Sequence, residues 1–422
     1  MNIWLINHYA VDAFYDKGGR HYWFAKKLEE RGHAVSVFCA STYLNKVGSV
    51  EMNGSRWRVQ YDGITPFIFI RTRMYRGNGL ARVQNMCDFY CNLYPAAKEY
   101  IKQNGNPDVI VASSVHPLTM VAGIRIARKL NVPCICEIRD LWPEAIFTFG
   151  KAREKSLLGR LLVAGEHWIY RKADALIFTK EGDTDYLKER KWTTEQGGDV
   201  DLAKCYYINN GVNLASYREQ AETEIYDDSD LTDSSKFNVL YAGIIRPVNN
   251  VGNMLDCAKL LMGRRGYDDV QILIVGAGSE LEKLKARVLD EQLGNVKLKG
   301  FVARKYIPYV LSKSSVNILN YAQNQFNWSR GNSSNKLFEY MASGKPIIST
   351  VRMGYSIIEK YHCGVELEEC TPEALAEAIM KFHDMPLAER RQYGRNAAEG
   401  AKGFDFEILT DKLLEVIERV TA

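Results

Sequence analysis

Residues 333–346, Ser-Ser-Asn-Lys-Leu-Phe-Glu-Tyr-Met-Ala-Ser-Gly-Lys-Pro, concentrate more usable chemistry than any other stretch of the chain. The spacing predicts a short helix with polar residues ahead of its first turn, Glu339 in its middle and Gly344 at its end. A strand at Ile347-Ile348-Ser349-Thr350 follows. Free backbone N–H groups at Ser333, Ser334, Asn335 and Lys336, with the positive end of the helix dipole, suit an anion. Glu339 lies about one turn further in, within reach of a hydroxyl pair attached to that anion. Phosphate at the helix start and a diol deeper in describe a nucleoside diphosphate. The same residues also fit an ordinary capped core helix whose Glu339 pairs with a surface base.

Such a site needs a scaffold, and 422 residues suit two domains of about 200 residues each. A 46% hydrophobic, 25% charged composition gives ample core material, and no run approaches the ~18 apolar residues of a membrane span. Met1 to Ile6 enters a strand pattern directly, without a basic leader or cleavage site. The expected compartment is therefore the cytoplasm, extending to the inner face of the plasma membrane. Of the nine cysteines, Cys39, Cys134, Cys136, Cys205 and Cys257 lie in or beside apolar runs, where free thiols act as small hydrophobes. No C-x-x-C pair occurs, which gives zinc or dithiol chemistry little support. Residues 1–220 hold 30 Lys and Arg against 23 Asp and Glu, while residues 221–422 hold 25 against 28. A basic first half suggests an acidic surface or a phosphate-bearing substrate, although a solvated face is the commoner cause.

The first half opens on a β-α-β unit: strand Ile3 to Ile6, a polar loop with Gly18-Gly19, helix His21 to Glu30, a stop at Arg31-Gly32-His33, and strand Ala34 to Cys39. Further strands are predicted at Val109 to Ala112, Pro133 to Ile138, Ala175 to Phe178 and Tyr206 to Ile208. After Asn210-Gly211-Val212 the pattern dissolves into an acidic, Ser/Thr-rich run at 220–236. Alternation restarts with strands Asn238 to Ala242, Gln271 to Val275, Val296 to Gly300, Val316 to Asn320 and Pro346 to Thr350. The expectation is an N-terminal domain over 1–215, a linker region over 216–236 and a C-terminal domain over 237–403. A closing amphipathic helix over 404–422 packs back on the first domain. Ligands of doubly wound sheets bind beyond the carboxyl ends of the strands, so the informative loops are Gly18-Gly19, Ser113 to Thr119, Arg139 to Glu144, Gly243 to Asn250, Gly276 to Ser279 and Tyr321 to Ser334.

Across nearly its whole length the chain resembles glycosyltransferase family 4, retaining enzymes of the GT-B fold. The resemblance rests on Gly18-Gly19, Arg31-Gly32-His33, His116, Asn210-Gly211-Val212, Gly243, Gly276-Ala277-Gly278 and the run from Asn335 to Pro346. Arg139-Asp140-Leu141-Trp142-Pro143-Glu144 is similar to bacterial surface-polysaccharide members, N-acetylfucosamine transferases among them. The resemblance implies two doubly wound Rossmann-like parallel-sheet domains facing across a cleft. It implies Glu339 on the donor ribose and His116 near the reacting carbon. The backbone around Ser333, Ser334, Asn335, Lys336 and Leu337, with the loop after Gly243 and the Gly276 and Gly278 turn, would hold the pyrophosphate. Gly18 and Gly19 would admit the β-phosphate, and Arg139, Asp140, Trp142 and Glu144 would border the acceptor.

Relatives often carry a second acid eight residues before the helix acid, where this chain has Gly331. They also often carry Arg and Lys where it has Ile244 and Asn250, leaving Arg246 and Lys336 as the phosphate cations. The implied reaction moves a sugar from a nucleoside diphosphate, UDP by resemblance, to an acceptor hydroxyl with retained configuration. In the family's usual account the departing phosphate takes the acceptor proton, so neither metal nor other cofactor is expected. The implied acceptor is a lipid-linked glycan intermediate of capsule, O-antigen or exopolysaccharide synthesis. The alternatives are a catalytically silent GT-B sugar-nucleotide-binding subunit and a sugar-nucleotide epimerase of the same fold. Gly276-x-Gly278 is half a dinucleotide fingerprint, but position 281 is Leu, which argues against an NAD enzyme. Ile64 to Cys87 contains Arg71, Arg73, Arg76 and Arg82 but no acid, with Phe67, Phe69, Met74 and Tyr75 interleaved and Phe89 and Tyr90 following. That pattern fits peripheral contact with an anionic membrane, or equally a basic groove wall. No nucleic-acid module is present in the sequence.

Overall fold

The computed structural model describes residues 1–43, 48–77, 79–114, 116–148, 150, 153–322 and 328–422. Two compact units emerge, one from Met1–Asn209 with Phe406–Ala422 and the other from Asn210–Asp405.

The first unit contains β1 (Asn2–Asn7), α1 (Val11–Asp16), α2 (Arg20–Glu30), β2 (Ala34–Ala40), β3 (Trp57–Asp62), β4 (Thr65–Ile70), α3 (Leu80–Asn104) and β5 (Val109–Ser113). It continues through α4 (Pro117–Leu130), β6 (Cys134–Ile138), α5 (Trp142–Thr148), α6 (Leu157–Lys172), β7 (Ala175–Phe178), α7 (Asp183–Glu189) and β8 (Cys205–Tyr207). The sheet order is β3-β4-β2-β1-β5-β6-β7-β8, parallel except where β3 pairs antiparallel with β4. Strands buried on both faces read as near-continuous apolar runs, and β1, β2, β5, β6 and β7 follow that rule.

The hairpin β3–β4 has no counterpart among the predicted strands. Its second strand, β4, falls within the basic segment Ile64 to Cys87, and for the phenylalanines the structure corrects the reading of that segment's aromatics as surface groups. Phe67, Phe69 and Phe89 lie in the core, and Arg73 is tied to Asp88 at 2.7 Å. These aromatics stabilise the domain and offer nothing to a surface.

The second unit runs through α8 (Leu214–Thr223), α9 (Ser229–Thr232), β9 (Phe237–Ala242), α10 (Gly252–Met262), β10 (Val270–Val275), α11 (Leu281–Asp290), β11 (Val296–Gly300), α12 (Ile307–Ser312) and β12 (Val316–Leu319). It ends with α13 (Asn335–Ala342), β13 (Ile347–Ser349), α14 (Ile357–Lys360), β14 (Gly364–Glu366), α15 (Pro372–Asp384) and α16 (Leu387–Lys402). Its sheet is wholly parallel, in the order β11-β10-β9-β12-β13-β14. The acidic run at 220–236 is not free chain: Leu231 is buried, and Lys299 bridges Asp228 at 2.7 Å and Asp230 at 2.5 Å. Charge neutralisation and the burial of Leu231, with Tyr226 packed against the same core, together hold that stretch to the unit.

The last helix, α17 (Phe406–Thr421), belongs to the first unit. Phe406, Leu409, Leu413, Val416 and Ile417 bury one stripe against the core that includes Phe24, and Arg31 holds Asp411 at 2.6 Å. Among the described residues no helix is long and apolar enough to cross a membrane.

Candidate functional site

In the second unit, the loops after β9 and β10 lie directly against each other. Gly243 N donates to Val275 O and Ile245 N to Ala277 O, each at 2.9 Å. A Cβ on Gly276 would stand 1.8 Å from Gly243 O, and one on Gly278 2.0 Å from Ile245 O. Those glycines are required by loop packing, before any ligand is considered. Gly243 serves a different neighbour, since a Cβ there would meet the Lys336 Cδ at 2.9 Å.

Lys336 reaches back from α13 over that glycine. Its Nζ lies 4.8 Å from the Tyr241 ring centre and 4.7 Å from that of Tyr321, and 3.4 Å from the Tyr241 hydroxyl. With its nitrogen donating to Ile244 O, the Asn249 amide accepts from Lys336 Nζ at 3.2 Å. Among the described residues no carboxylate comes within ion-pair distance of this ammonium. Burial, reinforced by the charge of Arg246, pulls its pKa down to about 7. Arg246 itself is exposed and makes no ion pair among the described residues.

The mouth of α13 is narrower than expected. Asn332 Oδ1 takes the Ser334 N–H at 2.7 Å, and Leu337 N closes on Ser334 O at 3.1 Å. The Ser333, Asn335 and Lys336 amides keep theirs unused among the described residues, and Asn210 Nδ2 fixes the Ser333 carbonyl at 2.6 Å. One turn deeper, Glu339 is 23% exposed at its side chain and faces Arg304 Nη2 at 3.5 Å. Burial raises its pKa, opposed by Arg304 and Lys336. The buried Tyr217 hydroxyl stands near enough for Glu339 to raise its pKa further. Gly331 has φ +103°, so an acid at that position would be strained. Gln323 to Asn327, within the Tyr321 to Ser334 loop, and Val115 lie outside the described residues.

In the first unit, β1 and β5 are neighbours with Asn7 opposite Ser113, which brings together the residues that follow them. His116 Nε2 and His8 Nδ1 are 2.9 Å apart, and His8 Nε2 is 2.8 Å from Asn85 Oδ1. Asn85 Nδ2 donates to Arg73 O at 2.6 Å and to Thr42 Oγ1 at 3.0 Å, so its oxygen must face His8. His8 therefore donates from Nε2 and accepts at Nδ1, and His116 donates from Nε2. The His116 Nδ1 lone pair is left buried and, among the described residues, without a partner. Burial holds both rings neutral, His8 at about 3. A neutral ring with a bare acceptor can take a hydrogen bond from a ligand hydroxyl.

Beside this pair, Gly19 adopts φ +89° with open space where a Cβ would stand, so the backbone angle demands glycine there. Gly18 is buried. The next residue, Arg20, donates to Glu137 Oε2 at 2.6 Å and to the Ile208 carbonyl at 3.0 Å. Ser113 Oγ binds Glu137 Oε1 at 2.6 Å, and His21 Nε2 stands 3.4 Å from the same oxygen. Arg139 and Trp142, both half-buried, and the exposed Asp140 follow β6 at the same sheet edge. Glu144 turns inward, where its charge helps burial raise the Glu166 carboxyl to about 7.

His8, Asn85, Tyr217, Tyr241, Tyr321, Arg304 and Asn249 had not been singled out in the sequence. For His8 a signal existed: like His116, it follows a strand at the carboxyl edge of the sheet.

Residues 19–196 match the family described as Glycosyl transferase 4-like domain, and residues 222–400 match Glycosyl transferases group 1. The chain is similar to sucrose-phosphate synthase from Thermosynechococcus elongatus at 18% identity, covering 99% of this chain and 98% of that one, with a TM-score of 0.66. It is similar to Anabaena HepE in complex with UDP-glucose at 15% identity, covering 99% and 100%, with a TM-score of 0.65. It is similar to WaaG, a glycosyltransferase involved in lipopolysaccharide biosynthesis, at 16% identity, covering 99% of each, with a TM-score of 0.63. No curated protein sequence matches the chain. Two parallel-sheet units, each spanned by a glycosyl transferase domain, place this chain among the glycosyltransferases of the GT-B fold.

Proposed function

We propose that the chain transfers a sugar from a UDP-sugar to an acceptor hydroxyl with retained configuration, the acceptor being a lipid-linked intermediate of a surface polysaccharide. The observation that carries the donor half is Lys336, a sequestered lysine at the start of α13 with no counter-ion among the described residues. A diphosphate supplies the missing charge, and the unused amides of α13 supply directed donors. Glu339, one turn deeper, exchanges its long contact with Arg304 for the two ribose hydroxyls. The complex of Anabaena HepE with UDP-glucose supports uridine, and the involvement of WaaG in lipopolysaccharide biosynthesis supports a surface glycan. The transferred sugar is a hexose or an N-acetylhexosamine, the latter in keeping with the resemblance of the Arg139 to Glu144 run to N-acetylfucosamine transferases.

Negative charge gathers on the leaving diphosphate as the glycosidic bond breaks. Lys336, Arg246 and the α13 amides then act mainly in the transition state. His116 Nδ1 accepts a hydroxyl of the donor sugar, which orients the reacting carbon. The departing phosphate oxygen takes the acceptor proton on the same face, a route that needs no metal.

Thermal unfolding with nucleoside diphosphates tests the donor assignment. UDP at 100 times its Kd adds ~2.7 kcal/mol, whereas an equal shift by every diphosphate would remove the base preference. Glu339→Ala is expected to raise the donor KM and lower kcat/KM by about 10–30-fold, the loss of a charged hydrogen-bond pair worth ~1.5–2 kcal/mol. Steady-state kinetics with wild-type constants would end the ribose role. Slow hydrolysis of the UDP-sugar by the purified protein would exclude a silent subunit, and release of an altered free sugar nucleotide would identify an epimerase.

A further inference from the structure

The loop after β9 holds one side-chain amide in a single orientation. Pro247–Asn249 form one 3-10 turn, with Pro247 presetting the backbone at its first position and Asn250, at φ +46°, ending it. Asn249 N donates to Arg246 O at 2.9 Å and Asn250 N to Pro247 O at 3.0 Å. Just after β12, the fully buried Asn320 sends its Nδ2 to the carbonyls of Asn249 and Asn250, at 2.7 and 2.8 Å. Asn249 is itself buried. Its side-chain nitrogen donates to Ile244 O at 2.7 Å, a carbonyl that the Tyr241 hydroxyl also reaches at 2.9 Å. With the nitrogen so engaged, the amide oxygen faces Lys336 Nζ at 3.2 Å.

An amide is a neutral acceptor: it takes an N–H from the lysine but supplies no counter-charge. The other groups around Lys336 leave its charge equally unmet. The Tyr241 and Tyr321 rings offer their faces, and burial pushes both hydroxyls above their ordinary pKa of 10, so neither ionises near neutral pH. Arg246 repels the ammonium, and Glu339 attracts it from beyond ion-pair distance. Asn250, where relatives often carry Lys, turns its side chain to Cys370 Sγ at 3.6 Å. Among the described residues, the contacts of Lys336 orient it without neutralising it.

From this arrangement we infer that Asn249 is a positioning residue, aiming Lys336 at the donor diphosphate while withholding a counter-ion from it. An aspartate has nearly the same shape and one charge more. It would hold the lysine in place but pair with it permanently, and a diphosphate would then have to displace a carboxylate that repels it. The Ile244 carbonyl would keep the Tyr241 hydroxyl as its donor. This role rests on the assignment of Lys336 to the donor diphosphate and deepens it: the pull of the site on an anion is set by a residue that acts through the lysine.

Titration calorimetry of UDP binding to the full chain at pH 8, in buffers of different ionisation heat, tests this role. With Lys336 at a pKa of about 7, the wild type should take up close to one proton per UDP. In Asn249→Asp the new carboxylate charges the lysine beforehand, so uptake should fall to near zero. Its Kd for UDP should rise about tenfold or more. Asn249→Ala removes the acceptor without adding charge. Uptake should persist there, while Kd rises about three- to tenfold, the net worth of one hydrogen bond. A residue that only shaped the loop would weaken binding in both variants and leave uptake unchanged. Wild-type uptake in Asn249→Asp overturns the role, and so does wild-type affinity or lost uptake in Asn249→Ala, which decides alone if the aspartate variant does not fold. Lys336→Met separates the two assignments. Unchanged UDP affinity in that variant removes the diphosphate from Lys336, whereas weakened affinity there beside unaltered Asn249 variants removes Asn249 alone.

Discussion

Lys336→Met is expected to lower kcat/KM about 10²–10³-fold, the usual cost of one lost donor to a developing anion, while making the protein more stable. The two effects share a cause. Lys336 sits between two aromatic rings with a cation, Arg246, as its electrostatic neighbour, and its pKa falls from 10.5 in the free side chain to about 7. Between those values the unfolded chain binds a proton that the folded chain does not, so the folding penalty is complete below pH 7 and vanishes by pH 10.5. Methionine removes the penalty, a gain of a few kcal/mol near neutral pH, and the gain should shrink as pH approaches 10. A denaturant series at pH 7 and pH 10 measures it. The same pKa predicts proton uptake on donor binding. At pH 8, where a diphosphate is fully ionised, the free enzyme holds Lys336 mostly neutral and the complex holds it charged. Titration calorimetry in buffers of different ionisation heat should then show uptake approaching one proton, falling to near zero at pH 6. Lys336→Met should show none at pH 8. Uptake unchanged in that variant would place the anion elsewhere.

What the sequence made legible follows from range. Strand positions came through because parallel strands covered on both faces are uninterrupted apolar runs, as in Val109 to Ser113 and Ala175 to Phe178. The helix from Asn335 was legible for the same local reason, its polar start and Gly344 end being adjacent in the chain. Of the four edge strands, β8 and β11 were legible and β3 and β14 were not: β3 is half-exposed, and β14 offers only Gly364, Val365 and Glu366, so neither leaves an apolar run. In β4 an apolar run next to Arg71 was read through its charges, although Phe67 and Phe69 point into the core. The site residues failed at long range. Lys336 could be named, but its aromatic flanks come from Tyr241 and Tyr321, one on β9 and one after β12. His116 could be named, but its partner lies 108 positions away. Only the order β2-β1-β5 brings His8 beside it. The glycines were named for their approach to phosphate, yet Gly276 and Gly278 are demanded first by each loop's contact with its neighbour.

Arg20→Met should destabilise the first unit by ~3–5 kcal/mol, the cost of stranding one member of a buried ion pair. The side chains of Arg20 and Glu137 are only 3% and 1% exposed. Arginine lies one residue after the strained Gly19, so this pair fixes the glycine loop to β6 and, through the Ile208 and Asn209 carbonyls, to the end of β8. Losing the guanidinium leaves a carboxylate inside the domain with Ser113 as its donor and a histidine that burial keeps neutral. Arg20→Met with Glu137→Leu should recover part of the loss, since both charges are then absent. Recovery stays incomplete because the two carbonyls and the Ser113 hydroxyl lose partners. The pH dependence separates this from simple loss of packing. In the wild type, Arg20 and His21 overcome burial and hold the Glu137 pKa well below its ordinary 4.5. Its contribution is complete above pH 4.5 and is lost as pH falls below that value. In Arg20→Met burial prevails, the carboxyl takes up a proton more readily, and acid relieves the stranded charge. The stability gap between wild type and variant should therefore be widest near neutral pH and narrow below pH 4.5. A gap under ~1 kcal/mol at pH 7 in urea unfolding would be that of an exposed ion pair, and one of equal size at pH 4 and pH 7 would mean lost packing rather than a stranded charge.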